Sequence, residues 1–116
     1  MKKVFVDTSV IIDLLADRRP HSKFAIGLFE KAEAQKAKLF AFSLSFATTF
    51  YILKKYQTDK NLRLIMLGLL EYLNVIPLDA HLVKRGLKSK QRDFEDTIQI
   101  LSAVSIDKMD CVVTRN

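Results

Sequence analysis

Short apolar runs alternate along the chain with longer segments whose apolar residues recur at helical spacing. The first run, Val4-Phe5-Val6, combines β-branched and aromatic residues, as buried strands do. The same pattern predicts strands at 3–6, 39–42, 75–76 and 111–113, and helices at about 9–16, 21–36, 45–56, 59–72, 79–87 and 93–106. Strands that alternate with helices indicate an α/β fold, with a short central parallel sheet covered by helices on both faces.

Asp7 stands between the first predicted strand and the first predicted helix. Thr8 and Ser9 are residue types that are favoured at helix N-caps, and Ser43 and Ser45 are expected to cap the third helix in the same way. In open α/β sheets, ligands bind at the carboxyl ends of the strands. Asp7 is therefore either a functional carboxylate or only a turn acid, and the local pattern leaves both interpretations open.

A second acidic feature, Asp93-Phe94-Glu95-Asp96, opens the sixth predicted helix. Residues three apart lie on one helix face, so Asp93 and Asp96 are expected to point the same way. Capping explains both acids when they are taken alone, because Asp93 is a good N-cap and Asp96 has the spacing of a capping-box acid. If Asp96 meets Asp7 at one rim of the sheet, however, the clustered carboxylates favour a hard divalent cation such as Mg²⁺.

The charge of the chain favours an anionic partner. The formal net charge is +6, from 19 Lys and Arg against 13 Asp and Glu, which suits a nucleic acid, an acidic protein or a membrane surface. Basic residues cluster just before Asp93, in a run that a solvated helix face would also explain. Those nearest to the acidic segment are candidates for steering a nucleic-acid strand: Lys88, Lys90 and Arg92.

Length and composition exclude several classes of protein. With 116 residues, 49% of them hydrophobic, we expect a single domain over 1–116. No apolar run approaches the roughly 18 residues of a membrane span, and the apolar run after Met1 is too short for a signal peptide. The single cysteine, Cys111, agrees with a reducing compartment and is expected to be a small core residue. These features predict a cytoplasmic protein that does not enter a membrane.

Three segments resemble motifs of the PIN domain family. The stretch from Val4 to Leu15 resembles the opening motif, residues 93–99 resemble the later acidic motif, and residues 112–116 resemble the closing strand and the polar turn after it. The order and spacing of the three segments agree with that family across the whole chain. Among bacterial members, the chain is similar to the VapC-type toxins of type II toxin–antitoxin pairs.

The resemblance implies a three-layer α/β/α fold and a Mg²⁺- or Mn²⁺-dependent ribonuclease. It also implies a homodimer and an antitoxin partner, with RNA as the substrate that the basic run would steer. By motif position, Asp7 and Asp96 would be metal-binding acids, and Asp93 a further catalytic acid. The same positions assign polar residues that would line the site: Thr8, Ser9 and Thr114.

The sequence departs from the PIN pattern in two places. Thr48 stands where many PIN nucleases carry a glutamate in the third helix, and its hydroxyl can line the site but adds no charge. The chain also ends at Asn116, so we expect it to lack the last strand of the family. These departures motivate one alternative, a catalytically degenerate PIN fold that binds RNA or protein. A further alternative is a phosphatase or DNA nuclease with similar metal chemistry.

Overall fold

A computed structural model of the protein describes residues 1–90 and 93–114. In chain order the elements are β1 (Lys2–Val6), α1 (Thr8–Leu15), α2 (His21–Glu33), β2 (Ala37–Phe42), α3 (Ser43–Leu53), α4 (Asp59–Leu69), β3 (Leu73–Ile76), α5 (Ala80–Lys88), α6 (Phe94–Val104) and β4 (Cys111–Val113). No helix within these ranges is long and apolar enough to cross a membrane.

The four strands form one sheet in the order β3-β2-β1-β4, and every neighbouring pair is parallel. Successive residues of β1 face opposite sides of the sheet, as strand geometry requires. Val4 and Val6 are buried against residues of α1 and α2, whereas Phe5 is buried with residues of α5 and α6, including Ile98. This arrangement confirms the predicted three-layer α/β/α fold with a parallel central sheet.

Two strands begin two residues earlier than predicted. β2 begins at Ala37 and β3 at Leu73, because each continues along a paired neighbour: Ala37 is in register with Lys2, and Leu73 with Leu39. Strand pairing therefore extends the ladder past the apolar runs that mark these strands in the sequence.

The edge of the sheet corrects one expectation. Among the described residues β4 pairs only with β1, and Cys111 is exposed rather than buried in the core. The expectation of a core cysteine was wrong because the apolar run 111–113 forms an edge strand.

Two helix starts also differ from the sequence expectation. Asp7, and not Thr8 or Ser9, is the N-cap of α1, and its carboxylate accepts a hydrogen bond from the Thr8 N–H. α3 begins at Ser43 without any side-chain cap. Ser43 Oγ instead accepts a hydrogen bond from the Leu78 N–H. The Ser43 side chain therefore joins the start of α3 to the segment after β3 and does not cap the helix.

α5 and α6 approach each other closely at Gly86. A methyl group placed on Gly86 would lie 2.9 Å from Phe94 Cε1 and would overlap Ile98 Cγ2. Ile98 is only 1% exposed and cannot easily move aside. The absence of a side chain at Gly86 therefore sets the separation of the two helices, and with it the position of the α6 start that carries Asp96.

Candidate active site

Asp7 lies where β1 ends and α1 begins, and all of its carboxylate contacts are local to this rim. Oδ1 accepts the Thr8 N–H at 2.7 Å, while Oδ2 accepts hydrogen bonds from Ser9 Oγ at 3.0 Å and Thr114 Oγ1 at 2.9 Å. The Asp7 N–H donates to Val113 O at 3.0 Å. The carboxylate is thus held at the carboxyl ends of two neighbouring parallel strands, β1 and β4.

The start of α6 presents its acids in different ways. Asp93 is the N-cap, and its Oδ1 accepts a hydrogen bond from the Asp96 N–H at 3.1 Å. Its carbonyl oxygen accepts the Thr97 N–H at 3.0 Å. The capping role that the sequence suggested for Asp93 is therefore present, and the Asp93 carboxylate is directed at the helix start.

Asp7 and Asp96 line the same cavity, which has a volume of about 200 Å³. The start of α1, the β2–α3 junction and the first turns of α6 form its walls. The lining residues are Asp7, Thr8, Ser9, Phe42, Leu44, Ser45, Thr48, Glu95, Asp96 and Gln99. Two acidic residues that are far apart in the sequence therefore line one cavity, which is the condition under which the sequence favoured a divalent cation at this rim.

The candidate residues named from the sequence are distributed as follows. Thr8, Ser9 and Thr48 line the cavity, and Thr114 lies beside it through its hydrogen bond to Asp7. Asp93 is not among the residues that line it. Lys88 is the last residue of α5, and Lys90 lies two residues later; both are exposed. Neither is among the residues that line the cavity. Arg92 lies outside the described residues.

A hydrogen-bond network among residues that line the cavity joins three helices. Gln99 Oε1 on α6 accepts from the Thr8 N–H at 3.3 Å, from Thr8 Oγ1 at 3.2 Å and from Ser45 Oγ at 3.4 Å. The Thr8 and Ser45 hydroxyls are themselves 2.7 Å apart. Ser45 is 2% exposed. This network fixes the starts of α1 and α3 against α6, and so fixes the two acidic walls relative to each other.

Sequence reasoning assigned no role in the site to three of the polar lining residues: Ser45, which was expected only to cap a helix, Glu95 and Gln99. Helical spacing already contained a signal for two of them, since Glu95 and Gln99 are four apart, and Asp96 and Gln99 are three apart. Glu95, Asp96 and Gln99 therefore share one face of α6. Ser45 offered no such signal, because its partners come from α1 and α6.

The chemistry of the lining suits a hard divalent cation. The atoms that could bind a metal there are carboxylate, hydroxyl and amide oxygens, unlike the sulfur and nitrogen ligands that are typical of zinc sites. Across residues 1–90 and 93–114, no three His, Cys, Asp or Glu side chains are grouped as a ready-made metal site. Mg²⁺ does not need such a group, because one or two carboxylates with water and substrate phosphate are enough. Asp7 and Asp96 fit that requirement.

Comparisons with known proteins agree with the three motifs. The sequence profile of a family described as "PIN domain" matches residues 3–116. A protein of Aquifex aeolicus (strain VF5) named "Ribonuclease VapC1" is 30% identical over 107 residues, which cover 88% of this chain and 74% of that protein. The resemblance that was read from the motifs is thereby confirmed.

Proposed function

Because this chain belongs to the PIN domain family, we propose that it is a metal-dependent endoribonuclease of the VapC type. The observation that carries the proposal is the shared cavity of Asp7 and Asp96. Asp7 is held by three hydrogen bonds, so its position does not depend on the ligand. A carboxylate already in place costs little reorganisation when a cation and a phosphodiester bind.

In this proposal, Asp7 and Asp96 hold Mg²⁺ or Mn²⁺, and Asp93 supports Asp96 from the helix start. The cation, when bound, supplies activation of water and stabilisation of the charge on the phosphodiester. Glu95 adds a third carboxylate to the same cavity. Its negative charge replaces the charge that Thr48, with only a hydroxyl, does not bring to the cavity, although Glu95 and Thr48 stand at different positions.

RNA is the proposed substrate class. The chain carries a net charge of +6, and the Aquifex aeolicus relative is named a ribonuclease. The test is cleavage of a mixed RNA substrate by the purified protein with Mg²⁺, with Mn²⁺ and with EDTA. We expect cleavage with either metal and none with EDTA. Competition among RNA, DNA and a small phosphate ester separates the ribonuclease from the DNA nuclease and phosphatase alternatives.

A non-catalytic alternative is favoured by two observations. Thr48 brings no charge to the cavity, and the described residues contain no group of three acids that could hold a metal. In that case the protein would bind RNA or another protein without cleaving it. RNA binding without cleavage in Mg²⁺ and in Mn²⁺ would support this alternative and contradict the nuclease.

The basic residues between α5 and α6 are proposed to contact the RNA backbone. We expect the double variant Lys88→Ala with Lys90→Ala to bind single-stranded RNA more weakly. The slope of log affinity against log salt should fall by about 0.7 for each phosphate contact that is lost. Fluorescence anisotropy over a series of salt concentrations measures this slope. The double variant Lys54→Ala with Lys55→Ala, at the end of α3, is the matched control, and equal slopes for the two pairs would contradict the assignment.

We also propose that the protein is a homodimer and the toxin of a pair with an antitoxin. An apolar cavity of about 680 Å³ lies between α3 and α4 and beside the edge strand β3. Leu67, Leu70 and Val75 line it and are 61%, 46% and 43% exposed. Exposed apolar surface of this kind is typical of a protein interface. Light scattering on the purified chain should give twice the mass of one chain, and the mass of a single chain would contradict the homodimer.

A further inference from the structure

The chemistry of Thr8 determines which way the Gln99 amide points. The Thr8 N–H makes its shorter hydrogen bond to Asp7 Oδ1 at 2.7 Å and a longer one to Gln99 Oε1 at 3.3 Å, and because a backbone N–H can only donate, the Gln99 oxygen is the group that suits this position. The Thr8 and Ser45 hydroxyls also lie within hydrogen-bond distance of that oxygen. One of the two hydroxyls donates to the other, so the Thr8 N–H and the remaining hydroxyl donate to the Gln99 oxygen, and the opposite amide orientation would set the N–H of Thr8 against an NH₂ group. The oxygen of Gln99 is therefore committed to the network with Thr8 and Ser45.

The Gln99 side chain lines the cavity, and its NH₂ group is not used in the network with Thr8 and Ser45. Within the described part of the chain, all hydrogen bonds of the Gln99 side chain go to its oxygen. Gln99 lines the cavity together with Glu95 and Asp96, which share its helix face. An NH₂ group has two N–H donors and no net charge. It is a neutral donor on a residue that lines the cavity together with three acidic residues.

We propose that Gln99 Nε2 donates a hydrogen bond to a non-bridging phosphate oxygen of the RNA strand, which makes Gln99 a substrate-binding residue. This inference rests on the proposed function. Carboxylates on both sides of the cavity repel a phosphate, and a donor beside them offsets part of that repulsion. The network with Thr8 and Ser45 holds the donor in one orientation, so little side-chain entropy is lost on binding.

The test compares two substitutions at Gln99. Gln99→Glu keeps oxygen acceptors for Thr8 and Ser45 but removes the donor, whereas Gln99→Met removes donor and acceptor without adding charge. The probe is a 2′-O-methyl RNA oligonucleotide, and binding is measured by fluorescence anisotropy in Mg²⁺, with a gel after each titration to check that the oligonucleotide is intact. We expect about tenfold weaker binding or more in both variants, as for other hydrogen bonds to charged groups. Gln57→Met, the same change at an exposed position after α3, should bind like the unchanged protein.

A second set of probes distinguishes contact with phosphate from a structural effect. Each oligonucleotide carries one methylphosphonate linkage, in which a methyl group replaces a non-bridging oxygen. At the linkage that Gln99 contacts, the methylphosphonate should weaken binding to the unchanged protein about tenfold more than it weakens binding to Gln99→Met. The variant has no hydrogen bond to that oxygen left to lose. A merely structural role for Gln99 would give equal losses at every linkage.

Three outcomes overturn the inference. Binding by Gln99→Met that equals the unchanged protein would mean that no donor is needed, even if Gln99→Glu binds weakly through its added charge. Equal methylphosphonate losses in both proteins would mean that Gln99 does not contact phosphate. In these two cases the proposed ribonuclease still stands if the unchanged protein cleaves RNA. Failure of the unchanged protein to bind any RNA would overturn both the inference and the proposed function.

Discussion

Replacing Asp7 with asparagine is expected to lower the rate of metal-dependent RNA cleavage by about a thousandfold. Asparagine keeps the shape of the side chain but removes the negative charge that would hold the cation beside Asp96. The cation is proposed to contribute several kcal/mol of transition-state stabilisation, and most of that contribution is lost with it. Initial rates of RNA cleavage at saturating Mg²⁺, in the variant and the unchanged protein, measure the effect.

The Asp7→Asn variant should remain folded. Asp7 caps α1 by accepting the Thr8 N–H, and asparagine is as good an N-cap as aspartate. The Ser9 and Thr114 hydroxyls that donate to Asp7 Oδ2 can instead accept from the new NH₂ group. Thermal unfolding should therefore change little, so that a loss of activity reports on the site and not on the fold.

The chain offers a matched control for this substitution. Asp79 is the N-cap of α5 and accepts the Leu82 N–H at 2.8 Å, and it does not line the cavity of Asp7. Asp79→Asn makes the same chemical change at the same kind of position and should leave cleavage unchanged. Full activity of Asp7→Asn, or an equal loss in Asp79→Asn, would contradict the assignment of Asp7 as a metal-binding acid.

Replacing Gly86 with alanine is expected to destabilise the protein by about 2 kcal/mol, within the usual range for overpacking. The new methyl group would overlap buried Ile98 and crowd Phe94, so α5 and α6 must move apart. This strain exceeds the gain of up to about 1 kcal/mol that alanine brings to a helix interior. Chemical denaturation measures the change in the free energy of unfolding, and the melting temperature should fall by roughly 10 °C.

Two other helical glycines provide the control for Gly86. Gly27 in α2 and Gly68 in α4 have nothing within 4 Å of an added methyl group. Gly27→Ala and Gly68→Ala should therefore stabilise the protein by about 0.4–1 kcal/mol each, because alanine lowers the entropy of the unfolded chain. Stabilisation by Gly86→Ala of the same size would show that α5 and α6 do not need their close approach.

Asp93 shows how far local sequence can settle the role of a residue. The sequence offered a capping role and a catalytic role, because both rely on an acid at the first turn of a helix. In the structure, the Asp93 carboxylate accepts the Asp96 N–H, while Asp96 lines the cavity with Asp7. Which acid of the pair faces the cavity depends on how α6 docks on the sheet, and residues 93–96 do not encode that docking.

The sequence by itself determined the order and type of the elements, the parallel sheet and the family. These features depend on apolar periodicity and on short motifs, which involve residues that are close together along the chain. The carboxyl-end position of Asp7 belongs with them, because a strand followed by a helix places that residue at the rim of a sheet.

Only the tertiary structure decided which side chains share the cavity. Gln99 meets Thr8 and Ser45 because α6, α1 and α3 converge, and α6 reaches that position because Gly86 lets it pack close to α5. The exposure of Cys111 was decided in the same way, by the place of β4 at the edge of the sheet. Contacts of this kind join residues from distant parts of the chain, so they depend on packing and sheet order, which a local pattern does not specify.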